Sequence, residues 1–337
     1  MPIPFLLAGA ALIAGGYGIK KGIDAKQDFD KAESLNKQAR TIFDDAAKSL
    51  EDSRQAAQNS MEKLGSLKFK IYEDYLVPFV EAFSKIKHID FQDQRLQDEF
   101  KLTGITNDDI LAISKTALDM KQVVGGGITA LGAGGLAGLA AYGSVGVLAS
   151  TAGGTTIASL SGVAATNATL AWLGGGALSA GGLGMAGGTA VLGGIVAGPV
   201  LAVGGMMLAS KAEEAKQNAY SNLDKARVEA EQMQTAETAT NGIEKRFIEI
   251  SSVLTKISDN FLPLLRGLQQ AVANNTDFRT YSTKDRQGIM MAANTAKTLK
   301  NILEAPILDS NGALTEISMT IIQRGNKELQ EMRRTAY

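Results

Sequence analysis

A chain of 337 residues has the length of about two globular domains at roughly 150 residues each, but only 6% of it is aromatic and only 6 residues are proline. With long stretches rich in Ala, Lys, Glu, Gln and Asp, this composition predicts long helices and argues against a β-sandwich or a βαβ domain. The 34 basic residues nearly cancel the 35 acidic ones, so no global field draws the chain to nucleic acid, and the lack of cysteine excludes a disulfide framework and any thiolate metal site.

The chain opens on an apolar stretch from Met1 to Ile19, followed by Lys20 and Lys21. No basic region precedes it, which argues against a secretory signal. At about the 20 residues that a bilayer core requires, residues 1–22 read as a short anchor or a third apolar element. Ala10, Ala14, Gly18 and Gly22 recur at every fourth position. From about Ile23 to Ile86, apolar residues step by three and four: Phe29, Ala32, Leu35, Ala39, Ile42, Phe43, Ala46 and Leu50, then Ala57, Met61, Leu64, Tyr72, Leu76, Phe79 and Phe83. That period predicts a long amphipathic helix with a solvated, coiled-coil-like outer face. Pro78 should kink it or begin a second helix. A polar connection around His88 to Gln94 follows. Thr106-Asn107-Asp108-Asp109 then signals the start of a helix through Ile110, Leu111, Ile113 and Leu118, which completes a region 23–121.

From Gln122 to Ser210 the chain runs for 89 residues without a charged side chain, and 25 of its 37 glycines fall there. Exposed to water, such a block would far exceed the apolar patch of a few hundred Å² that a soluble monomer tolerates. Two rows of small residues, Gly126, Ala130, Gly134, Gly138 and Gly182, Ala186, Ala190, Gly194, Gly198, each lie on a single helix face. Helical glycine costs about 1 kcal/mol in water, whereas in lipid small residues let helix backbones approach closely. Val123 to Ala149 is long enough to cross a bilayer once, the Ser/Thr-rich residues 150–169 read as a polar turn, and Leu170 to Ala209 forms a second arm. That arm would be about 60 Å long as one helix, so a kink at Pro199 is expected. Trp172 is a candidate interfacial anchor or, equally, a packing residue. The block either goes directly to a membrane or is first sheltered by the long helices or an oligomer until triggered.

Beyond the block, region 211–274 carries Ala212, Ala215, Ala219, Leu223, Ala226, Ala230 and Met233, then a stronger stripe at Ile243, Phe247, Ile250, Leu254, Ile257, Phe261 and Leu265. Asn274 to Asp277 reads as a linker, Ser282 as a helix cap, and Asp309 to Gly312 as a turn, so that 275–337 form a C-terminal helical hairpin. The expected fold is all-α: an elongated antiparallel helical bundle or coiled coil, with the uncharged segment as a glycine-zipper hairpin at one tip. Lys20, Lys21, Lys26, Lys115, Lys121, Lys211 and Lys216 flank the apolar segments, and basic flanks favour the cytoplasmic face of an inner membrane for the helical regions.

The residues offer little chemistry. His88 is the sole histidine and has no companion thiol; it reads as a surface residue near a helix end. The strings GAGGLAG and GGGALSAGG lack the lysine of a phosphate loop and follow no strand pattern. Asp108-Asp109 and Glu213-Glu214 suit helix starts or polar faces. No catalytic, cofactor-binding or metal site is expected, and no enzyme; the expected partners are a lipid bilayer, further copies of the chain, and a protein on the coiled-coil faces.

The strings ATNATLAWLGGGALSAGGLGMAGGTAVLGGIVAGPVLAVGG (165–205), GYGIKKGIDAKQDFDKAESLNKQA (16–39) and YSTKDRQGIMMAANTAKTLKNILEAPILDSNGALT (281–315) resemble a widespread bacterial family of uncharacterised glycine-zipper proteins, often loosely labelled chemotaxis proteins. The resemblance covers most of the chain and implies no particular activity. In layout, long helices around a central apolar hairpin, the chain is also similar to α-helical pore-forming toxins. Two functional classes follow: a membrane-inserting protein that assembles into a pore or deforms the bilayer, and a coiled-coil interaction or signalling protein that uses the hairpin only as an anchor.

Overall fold

The computed structural model describes residues 19–89, 105–124, 136–141, 143, 212–309 and 312–335. These form an all-α helical bundle, with no strand among the described residues beyond isolated bridges. Helix α1 spans Ile19–Ile71, and a π-helical stretch Tyr72–Leu76 joins it to α2 (Val77–Phe83). Then come α3 (Asn107–Val124), a helical turn at 136–141, and α4 (Ala212–Asn274). A 3-10 turn at Phe278–Thr280 leads to α5 (Thr283–Glu304) and α6 (Glu316–Thr335).

Local signals set these boundaries. Pro78 has no N–H to donate, and the π-helical stretch absorbs the mismatch, with the Val77 N–H reaching the carbonyl of Tyr72. Thr106 caps α3 reciprocally: its hydroxyl accepts from the Asp109 N–H at 3.2 Å, while the Asp109 carboxylate accepts from the Thr106 N–H at 2.8 Å. Ser282 accepts from the Asp285 N–H at 3.1 Å and starts α5. Gly312 adopts φ 79°, the left-handed region that glycine enters without strain, and closes the turn back to Asp309.

The chain divides into two compact units, and α1 and α4 each pass through both. In the first, formed by 19–48 and 212–234, a small seam of Ala32, Leu35, Ala39, Ala219, Leu223 and Ala226 is buried, with Ile42 and Phe43 packed against it. The alanines bring the helices close but bury little apolar area. Leu35 and Leu223 contribute most of the hydrophobic stabilisation, about 1.5–3 kcal/mol each. Phe29, expected on the buried face, is 49% exposed.

The expected antiparallel pairing of the two long helices is not what forms. In the first unit Asp28 pairs with Lys216 and Asn36 with Asn222, so partners advance together along both chains and the helices run parallel. An antiparallel neighbour is dictated only by a short connection. Here the chain passes through α2, α3 and the whole uncharged block before α4 begins, which is enough length to return to the starting end.

The second unit holds the main core. The same parallel sense recurs within it, from Ser49 with Glu237 and Ser53 with Asn241 to the Lys87 N–H on the Thr276 carbonyl. Phe261 packs against Tyr75 and Phe79 with ring centroids 6.3 and 5.9 Å apart. Helix α3 runs alongside α5, tied by Lys297–Asp109 and Thr116–Glu304. Helix α6 lies against α4 through Arg246 and Ser318, and its Gly325 brings it close to Val253 and Ile302.

Candidate functional site

The most unusual chemistry in the second unit is Lys68, which is 0% exposed. It occupies a position on the apolar stripe of α1, between Leu64 and Tyr72, so helical geometry aims it into the core. Its Nζ donates to the carbonyls of Ala140, at 2.9 Å, and Leu303, at 3.2 Å. Both acceptors are backbone groups at helix ends, where carbonyls lack intrahelical partners. No carboxylate offsets the burial, which lowers the amine from its ordinary 10.5 to about 7.

One turn earlier, Gly65 meets the head of the uncharged block. A Cβ placed there would overlap the Leu136 carbonyl, lying 2.7 Å from its carbon, so only glycine permits this approach of backbone to backbone. Ala137, Leu139, Ala140 and Ala141 are buried in the same core. The Ile307 N–H donates to the Ala141 carbonyl at 2.7 Å. Gly143 then takes φ 67° with its N–H on the Leu139 carbonyl, and a Cβ there would lie 2.7 Å from Glu304 Cα. Within the stretch Val123 to Ala149, the helical turn 136–141 ends at Gly143 and is buried among protein side chains; residues 125–135, 142 and 144–149 lie outside the described residues.

Of the expected packing rows, Gly138 is described and buried in this turn. Gly126, Ala130, Gly134, Gly182, Ala186, Ala190, Gly194 and Gly198, together with Trp172 and Pro199, lie outside the described residues. Among the described residues no helix is long and apolar enough to cross a membrane, and no group of three or more His, Asp or Glu could hold a metal ion. Two of the basic flanks are paired: Lys216 with Asp28 and Lys121 with Glu81.

His88 lies beyond α2, as expected, with φ 61° and Nδ1 3.2 Å from Asp277. Hydrogen bonds from Arg279 chiefly, and from His88, hold the Asp277 carboxyl well below the usual carboxylate range. The cluster fastens the end of α2 to the α4–α5 connection, where Lys87 and Asp277 also form a bridge. Its groups are satisfied by one another, which is a structural arrangement.

Sequence periodicity missed Lys68 and Gly65 because a charged residue and a glycine both read as interruptions of an apolar stripe. The signal was the gap between Leu64 and Tyr72, which Lys68 fills at helical spacing. Comparison with known proteins finds no matching family model, no matching curated protein and no matching solved structure.

Proposed function

We propose that this chain acts on a lipid bilayer without catalysing a reaction. Segment 122–210 inserts and assembles through its small-residue rows into a pore or a membrane-remodelling scaffold. The observation that carries this reading is the parallel direction of the first unit. Because α1 and α4 start at the same end, the apolar stretch leading into Ile19 and the uncharged block leading into Ala212 reach the helix pair from the same side. Both helices begin within about 15 Å of the Asp28–Lys216 pair at 1.5 Å per residue.

Two further features favour a bilayer at that end. Phe29 and Tyr220 are exposed within a turn or so of the ion pair, and aromatic rings are the side chains that settle at the headgroup level. The small alanine-rich seam makes the first unit the less strongly held of the two, and elements that must move are drawn from regions of low local stability. The bilayer is the primary partner and further copies of the chain the second. The basic flanks favour a bacterial inner membrane, with the helical regions on the cytoplasmic side.

The anchor reading has one observation of its own, since the parallel Ala/Leu seam is the geometry of an interaction coiled coil. Dye release separates the two. Full-length protein added to liposomes loaded with a self-quenched dye should release it; binding to the vesicles without release would favour the anchor.

A further inference from the structure

We propose that the seat formed by Gly65, Lys68 and the 303–308 backbone is a latch that retains the head of the uncharged block inside the bundle, and that membrane action requires this latch to open. The inference rests on the membrane reading for its second half; the first half is a statement about the folded protein alone.

The contacts have the character of a releasable device. Beside the burial of Ala137, Leu139, Ala140 and Ala141, residues 136–141 and Gly143 are held through their backbone: the Leu136 carbonyl against Gly65, the Ala140 carbonyl on Lys68, the Ala141 carbonyl on Ile307, and Gly143 against Glu304. None of these residues carries a charge, so no ion pair fixes them. At the centre stands a lysine where a methionine would fill similar space without desolvating an amine. Desolvation of the amine offsets part of what its two hydrogen bonds contribute. Lys68 therefore makes the seat specific, because it caps two orphan carbonyls, at the cost of desolvating its amine.

The other groups around the amine do not neutralise it. Residues 136–141 and Gly143 include no titratable side chain, and Tyr72 follows one turn further along from α1. Glu304 of α5 is engaged by Lys300 at 2.5 Å and by Thr116 at 2.6 Å. An opened latch would expose the Ile307 N–H, which donates to Ala141, and would return the Lys68 amine to solvent.

Hydrogen exchange by mass spectrometry on the full chain, without lipid, reads the latch directly. Gly65→Val drives a side chain into the Leu136 carbonyl; Gly242→Val makes the same change in α4, where a Cβ meets nothing within 4 Å. Exchange at Ile307 and across 136–141 should rise by about tenfold or more in Gly65→Val, the scale of an overpacked contact, and stay near wild type in Gly242→Val. After correction for intrinsic exchange, opening at Ile307 in wild type should become more frequent as the pH falls from 9 to 7, because the exposed amine takes up a proton; Lys68→Met should lack that dependence, and it remains informative if Gly65→Val unfolds. Equal exchange in the two valine variants, or the same pH dependence of opening in Lys68→Met as in wild type, would overturn the latch. In dye release, Gly65→Val should leak faster than wild type. Faster exchange with unchanged leakage would overturn the latch as a control of membrane action. A wild type that binds vesicles and never leaks would instead defeat the reading on which that second half rests.

Discussion

Replacing Lys68 by methionine should remove a pH dependence that the wild-type fold carries. The amine lies near 10.5 in the unfolded chain and near 7 when buried. Between those values the unfolded state holds a proton that the folded state lacks, so stability rises with pH across that window. Below about 7 both states hold the proton and the contribution is flat. Integrated from pH 9 to pH 7, this single group removes about 2 kcal/mol of stability, at about 1.4 kcal/mol per unit well inside the window. The methionine variant leaves every other titratable group in place, Tyr72 and the Lys300–Glu304 pair included. Absolute stability is a poorer readout. Methionine relieves the desolvation but leaves the Ala140 and Leu303 carbonyls without their donor, at about 1–3 kcal/mol each. The assay is therefore urea unfolding followed by helical circular dichroism at pH 7, 8 and 9 for both proteins. Wild type should lose about 2 kcal/mol more than Lys68→Met between pH 9 and 7. Parallel pH profiles would refute the assignment of Lys68 as a buried, easily neutralised amine.

The chain has no cysteine, so introduced thiols report cleanly. Asn36→Cys with Asn222→Cys should be joined within one molecule by a short thiol cross-linker, whereas Asn36→Cys with Gln269→Cys should not; the reverse result would restore the antiparallel pairing. Thr106→Ala removes the reciprocal cap of α3 and should lower the urea-derived stability by about 1 kcal/mol. Leucine in place of Ala190 or Gly194 should weaken assembly of the membrane form, read by cross-linking of the oligomer, while Leu192→Ile should be mild. Equal effects from all three would show that this row is not an interface.

The sequence made much of the second unit legible through features that act locally. Thr106 and Ser282 cap the helices they were expected to cap, Pro78 falls where one helix gives way to the next, and the turn at Asp309 to Gly312 forms as expected. The stripe from Ile243 to Leu265 is buried throughout. Direction was not legible: a three-four period places Leu35 and Leu223 on buried faces but is identical for parallel and antiparallel partners. The contacts of Asp28 and Asn36 distinguish them in the first unit, and those of Ser49 and Ser53 in the second. The seat at Gly65 and Lys68 was illegible for another reason. Its value depends on what arrives opposite it, and Leu136 and Leu303 are distant in the chain. Phe29 fell on the correct period yet stays about half exposed, at 49%.

The claim at the centre of this account is that the uncharged block enters lipid, and the chain carries its own reporter: Trp172, the only tryptophan, lies within that block. Its emission can be followed as full-length protein is mixed with vesicles whose lipids carry bromine on the acyl chains, with unbrominated vesicles as the reference. Insertion predicts a blue shift on both kinds of vesicle and strong quenching on the brominated ones. Emission that stays unchanged while the protein co-sediments with the vesicles would contradict the account, placing the block outside the bilayer and leaving the chain attached to the membrane by some other segment.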